Sequence, residues 1–423
     1  MSPIMKIPAA ILMALAVLCA NQCAAEGLIA LRGARLETVA KAGAIDDGIL
    51  LIRDGKIDAV GKDVKIPVSA RIIDVQGATI MPGLVDPYFV VPIGRNVQAS
   101  ETRTVVFQGR VFVIGGGSPA IATTFAKISD GINLSDVDWN PARRSGITTL
   151  HVVTGGYAQS LVAASASETA QIKNPDGQLL VTVTNESQSL DVLRNGLKEQ
   201  RSSSGRPGSS SSSAATSAAA TTTSTNTAAS TSTTTSTGSS ATELWKSVRE
   251  GKSQVFVNVN NAAAILHCLA AFKEAPKATV VFVASGEDIY RTLDELDAKT
   301  QTIVMSPTID TLPNSRLRVN VPALLAKKKV PFAFSLSLSQ SDFRSQQQTP
   351  LFAVGMLVRS GLDRKLALEA LTIAPARLLG IEQQVGTLEI GKSADFIVLD
   401  GDPFAATTSV QRIFTAGKPI YEN

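Results

Sequence analysis

From Gly48 to Gly61 the chain reads GILLIRDGKIDAVG, two apolar runs separated by Asp54-Gly55. The pattern predicts a β-hairpin, because both turn positions need a left-handed backbone that Asp and Gly tolerate. ARIIDVQGATIMPG (70–83) reads the same way around Gln76-Gly77, and the last forty residues again show short apolar runs broken by glycine. β-rich ends therefore flank a middle of another kind.

In that middle, apolar runs alternate with amphipathic ones. GITTLHVV (146–153), QLLVTVTN (178–185), SQVFVNVN (253–260), ATVVFVAS (278–285), QTIVMSP (301–307) and VPFAFSLS (330–337) read as strands. GEDIYRTLDELDAK (286–299) and LDRKLALEALTIA (362–374) read as helices between or after them. Such alternation implies parallel β/α units. Seven or eight of them fit an α/β fold with a (β/α)8, TIM-like barrel, accompanied by a small β-sandwich domain formed by both chain ends. The expected boundaries are 1–25 for a signal peptide, 26–82 and 381–423 for the two parts of the sandwich, and 83–380 for the barrel.

Ser202–Ala241 belongs to neither layer, being almost entirely Ser, Thr, Ala, Gly and Asn without an apolar period. It reads as a disordered insertion, since it buries too little surface to offset its ordering entropy; a glycosylated stalk is the alternative. At the other extreme, AAILMALAVLCA (9–20) is apolar but too short to span a bilayer in the mature protein. Following Lys6, and followed by Cys23 and Ala25 at the −3 and −1 positions of a cleavage site, it reads as a cleavable signal. Leu18 and Gln22 are too bulky before Cys19 and Cys23 for a lipoprotein signal. The expectation is export to the periplasm or beyond, without a stable membrane anchor.

Composition agrees with a folded chain: of 423 residues, 44% are hydrophobic and 18% charged. The net charge of +4 is spread thinly, with Lys327–Lys329 the longest basic run, so nothing points to nucleic acid. Signal removal leaves Cys268 as the single cysteine, which excludes an internal disulfide and a cysteine-ligated zinc. Within NAAAILHCLAAF it reads as a buried inert thiol rather than a nucleophile.

Four stretches bear a family resemblance: GILLIRDGKIDAVG, MPGLVD (81–86), ARRSGITTLHVVTGG (142–156) and ALEALTIAPARLLGIEQQVGTLEIGKSADFIVLDGDPF (367–404). Together they make the chain similar to the amidohydrolase superfamily, closest to its imidazolonepropionase-like branch. The resemblance implies the same barrel and composite sandwich, and hydrolysis of non-peptide C–N bonds, as in cyclic amides. It also implies zinc or another divalent metal at the carboxyl ends of the barrel strands. There the metal would activate water and polarise a carbonyl. The family's ligands are two histidines in a D-x-H-x-H pattern after the first strand and one each after the fifth and sixth. A lysine or glutamate from the third or fourth strand is added in binuclear members, and an aspartate after the eighth strand acts as base.

Here the pattern departs from the family. DPYFV keeps Asp86 but has Tyr88 and Val90 at the two histidine positions. Asn258, with Asn260 beside it, stands at the fifth-strand position, Ala284 or Ser285 at the sixth, and Ser337 at the base position. The chain's two histidines, His151 and His267, fall where the family has no ligand and read as packing or surface residues. Asp86, Glu186 and Asp310 near strand ends would at most hold calcium or magnesium weakly. Neither a phosphate loop at Gly115–Pro119 nor a G-x-S-x-G elbow is present.

The expectation is thus a catalytically inactive homologue with no catalytic residue, metal or cofactor of its own. Asp86, Tyr88, Val90, Asn258, Asn260 and Ser337 would line a pocket for a small polar ligand. Two alternatives are an active C–N hydrolase with a relocated metal site, and a structural subunit pairing with an active paralogue or with a second copy of itself.

Overall fold

The computed structural model describes residues 27–90, 103–107, 110–114, 126–127, 139–153, 157–159, 161–165, 172–174, 177–183, 187–198, 241–285, 288–338 and 350–423. The expected signal peptide, Glu186 and nearly all of the Ser/Thr tract lie outside these residues. Ala241, the last residue assigned to the tract, is instead the first residue of a helix.

Both described ends build one eight-stranded sheet. Its first part is β1 (Leu28–Glu37), β2 (Ala44–Arg53), β3 (Lys56–Gly61), β4 (Arg71–Asp74) and β5 (Thr79–Pro82). The predicted β2–β3 hairpin is present, with Arg53 opposite Lys56 and positive φ at both Asp54 and Gly55. The second expected hairpin is not. β4 and β5 do not pair with each other; both lie parallel to β1, opposite Ile29–Arg32 and Arg35–Leu36. A break in the β1 ladder at Gly33 (φ 81°) separates the two stretches, so Gln76-Gly77 turns the chain along one edge instead of back on itself.

The chain then enters β6 (Leu84–Val90), which pairs parallel to β7 (Ile147–Val153). Five more strands form a second parallel run: β8 (Leu179–Val183), β9 (Gln254–Val259), β10 (Thr279–Ala284), β11 (Gln301–Met305) and β12 (Phe332–Phe334). Between the runs the order is antiparallel. Only residues 154–160 separate β7 from the strand Leu161–Ser165, too few for a parallel crossover, and that strand runs back along β7. The strand Tyr157–Gln159 likewise pairs antiparallel with β8. Among the described residues the parallel strands thus form two runs, one of two strands and one of five.

Helices α1 (Ser187–Leu197), α2 (Ala241–Arg249), α3 (Ala262–Phe272), α4 (Val321–Lys327), α5 (Pro350–Arg359) and α6 (Arg364–Leu371) cover the outer face, and α7 (Ile373–Leu378) follows them. Alternate strand residues such as Val255, Val257 and Val259 pack with α1, α2 and α3, Cys268 and Trp245 included. The helix expected over 286–299 is reduced, among the described residues, to one 3-10 turn at Ile289–Arg291. There Asp288 accepts from the Ala262 N–H at the start of α3, and Thr292 bonds back to Ile289, so the local side chains favour a turn. The opposite strand faces form an inner cluster of Val85, Tyr88, Val153, Phe256 and Val283, which Ile373 and Ala376 of α7 join.

The closing stretch adds the remaining strands of the eight-stranded sheet, β13 (Phe396–Leu399), β14 (Val410–Thr415) and β15 (Lys418–Glu422). β13 pairs antiparallel with β5, which joins the two chain ends. Arg364, at the start of α6, then ties the sheet to the helices, reaching Glu37 of β1 at 3.0 Å and Asp402 at 2.8 Å.

Candidate functional site

The site grows from a defect in β6. Leu150 of β7 faces Asp86 and Val152 faces Phe89, so Pro87 and Tyr88 together oppose His151 alone. This is a β-bulge, and its backbone groups need partners from outside the ladder. Proline suits the position because it has no N–H to leave unpaired.

Side chains supply every partner seen here. The Asp86 carboxylate accepts from the Tyr88 N–H through Oδ1 and from the Ser337 N–H through Oδ2, each at 3.0 Å. His151 Nδ1 donates to the Pro87 carbonyl at 2.7 Å. The Tyr88 carbonyl accepts from the hydroxyls of Ser335, at 3.1 Å, and Ser337, at 2.5 Å. Ser335 and Ser337 share a face just past β12, with hydroxyls 3.3 Å apart. They clasp the end of one parallel run to the start of the other, where no strand ladder joins β12 to β6.

Burial sets the electrostatics. Asp86 and His151 are fully buried. Desolvation pushes the Asp86 carboxyl up to about 6, against the pull of Ser335 and of the Tyr88 and Ser337 donors. It pushes His151 down to about 4, against the Pro87 hydrogen bond, which keeps the ring neutral with its proton on Nδ1. The ring rests edge-on to Phe256, with centroids 4.8 Å apart. Burial also raises the Tyr88 phenol above its usual value, and its hydroxyl has no hydrogen-bond partner among the described residues.

Of the sequence-derived candidates, Asp86, Tyr88 and Ser337 meet directly. Val90, half-buried at the end of β6, packs on the same inner cluster. Asn258 is half-buried and shares the Phe256 face of β9 by strand alternation. Asn260 does not join them. It lies beyond the end of β9, exposed, accepting from the side chain of Asn261, which caps α3. His267 is exposed on α3, Ser285 is exposed past β10, and Asp310 is buried after β11. Burial raises the Cys268 thiol to about 12, as an inert thiol requires. His151 and Ser335 are the residues the sequence reading passed over. Alternation along ITTLHVV and FAFSLS carries the signal that both face inward.

The donors here do not suit a divalent metal. Tyr88 is a phenol held protonated, Val90 has no donor atom, Asn258 offers a neutral amide, and both Asp86 oxygens are engaged by backbone N–H groups. No cluster of three or more His, Cys, Asp or Glu with metal-binding geometry occurs among the described residues. Ser337 cannot serve as a base at neutral pH, and its hydroxyl is committed to Tyr88. A cavity of about 860 Å³ lies at the opposite ends of the strands, where Gln178, Gln254, Thr279 and Thr302 line it with Arg377. None of its lining residues belongs to the cluster around Asp86.

The amidohydrolase family profile matches residues 311–421. An imidazolonepropionase of Deinococcus deserti is 30% identical over 156 residues, 36% of this chain and 38% of that protein. An N-acetylglucosamine-6-phosphate deacetylase of Danio rerio is 44% identical over 62 residues, 15% of this chain and 14% of that protein. The chain thus spans well under half the length of these curated relatives. Among solved structures, an amidohydrolase from Thermotoga maritima MSB8 superposes with a TM-score of 0.65 at 19% identity, over 93% of this chain and 100% of the other, which shows a shared fold.

Proposed function

We infer that this chain, which belongs to the amidohydrolase superfamily, is a catalytically silent member whose reactive centre has become a structural clasp with a residual small-molecule pocket. One observation carries the reading. At the position where the family has its base, Ser337 donates its N–H to Asp86 and its hydroxyl to the Tyr88 carbonyl. A side chain spent in this way holds two strands together and leaves nothing to take a proton from water.

The ligand positions support the same conclusion. Metal-activated hydrolysis needs several deprotonated nitrogen or carboxylate donors converging on one point. Tyr88, Val90 and Asn258 provide none. The proposal includes the closed eight-stranded barrel of the family, with the antiparallel segments inserted between β7 and β8, and export of the mature chain from residue 26 onward. No helix among the described residues is long and apolar enough to cross a membrane.

Metal analysis of protein purified without chelator, together with hydrolysis assays on cyclic amides, dipeptides and lactones, tests this reading. The expected result is well under one equivalent of zinc, iron or manganese and no metal-dependent turnover. Stoichiometric metal, with amide hydrolysis abolished by chelation and restored by that metal, would establish an active hydrolase with other ligands.

A further inference from the structure

The inner wall has polar atoms that the clasp does not use. Tyr88 is only 2% exposed, and its phenol oxygen has no partner among the described residues. On the neighbouring strand, Thr149 lies on the same face as His151 and Val153, and its fully buried hydroxyl is likewise unpartnered among them. Native interiors rarely leave such groups unmet, and an orphan of this kind points to water or a ligand.

The surroundings restrict what that ligand is. Val85, Val153, Phe256 and Val283 make the adjoining wall apolar. Both Asp86 oxygens and the Ser335 and Ser337 hydroxyls are already committed. The Tyr88 phenol stays protonated, so it offers a hydrogen and asks for an acceptor. An anion would be stripped of water beside a buried carboxyl with only neutral hydroxyls in return, and a cation would meet carboxylate acceptors already spent.

We propose that Tyr88 anchors a compact uncharged ligand that presents a single carbonyl-type oxygen on an otherwise apolar body. This rests on the silent-pocket reading and adds the chemistry of the occupant. The phenol takes over recognition at a position where the superfamily has a metal ligand, and selection is by polarity and size.

Cyclopentanone is the probe, with cyclopentanecarboxylate and cyclopentylammonium as charged counterparts of similar size. Wild-type protein should show a saturable melting shift with cyclopentanone and none with the two ions. Tyr88→Phe should respond at least tenfold more weakly. Because a variant can fail to fold, the wild type carries a second readout. Of the four tyrosines, one ζ-carbon-labelled resonance should move with cyclopentanone at the same midpoint. Equal responses of wild type and Tyr88→Phe, or no tyrosine shift on addition, would overturn the proposal. So would a lower melting temperature for Tyr88→Phe with no response of the wild type, since water would then fill the site. Stoichiometric metal in the same preparations would sink the silent-enzyme reading itself, whatever the tyrosine does.

Discussion

Two buried carboxylates show how differently one chain can accommodate negative charge. Glu37, at the end of β1, meets two guanidinium groups, Arg35 at 3.1 Å and Arg364 at 3.0 Å. Both arginines keep a third or more of their side chains in water. Asp86 has no cation among its hydrogen-bond partners, only backbone N–H groups and neighbouring hydroxyls. The first arrangement neutralises charge and tolerates loss, because a freed arginine rehydrates. The second spreads the charge over dipoles that have no access to water, so each of them depends on the carboxylate staying in place.

Removing each carboxylate should expose that contrast, with the largest effect at the clasp. Asp86→Ala leaves the Tyr88 and Ser337 N–H groups buried and unmet, at about 1–3 kcal/mol each, and should lower stability by roughly 3–5 kcal/mol. Glu37→Ala should cost only about 1 kcal/mol. Urea unfolding of the two variants measures the difference, and equal losses would erase the distinction.

Restoring an acid at the family's base position sharpens the comparison. Ser337→Asp sets a second carboxylate against Asp86 with no cation to share, and should destabilise by about 2–3 kcal/mol at pH 8. The penalty should shrink as pH falls towards 5, when the pair shares a proton. A variant as stable at pH 8 as wild type would mean that the clasp tolerates charge.

Next is a pH effect hidden by cancellation. Asp86 titrates near 6 in the folded protein, above its unfolded value of about 3.9, so its contribution to stability improves as pH falls from 6 to 4. His151 titrates near 4, below its unfolded value of about 6.5, so its contribution is lost over the same range. The two slopes oppose each other. His151→Gln should therefore gain stability on acidification from pH 6 to 4, and Asp86→Asn should lose it more steeply than wild type. Parallel pH profiles for all three proteins would refute these assignments.

The smallest effect is expected on β1, beside Glu37. Arg35→Met removes contacts to Glu37 and to exposed Asp46, and Arg364 remains on Glu37. The melting temperature should change by no more than about 0.5 kcal/mol would produce, and less in high salt.

Local chemistry made much of this architecture legible from the chain alone. Asp54-Gly55 dictates a turn, alternating apolar runs dictate strands buried on both faces, and Tyr88, Val90 and Ser337 depart from the family's ligand pattern by residue type alone. Other features depended on contacts between segments far apart in sequence. ARIIDVQGATIMPG has the local pattern of a hairpin, yet both its strands found the same edge of β1. His151 and Ser335 look like ordinary core residues until a bulge at Pro87-Tyr88, set by the register of β6 on β7, leaves carbonyls for them to meet. Asn260, named with Asn258 by adjacency in sequence, was left in solvent when β9 ended one residue earlier. Residue type determined which side chains stand at the family's ligand positions. That Asp86, His151, Ser335 and Ser337 meet there as a clasp was decided by the tertiary structure, because buried backbone groups must find partners wherever the fold brings them within reach.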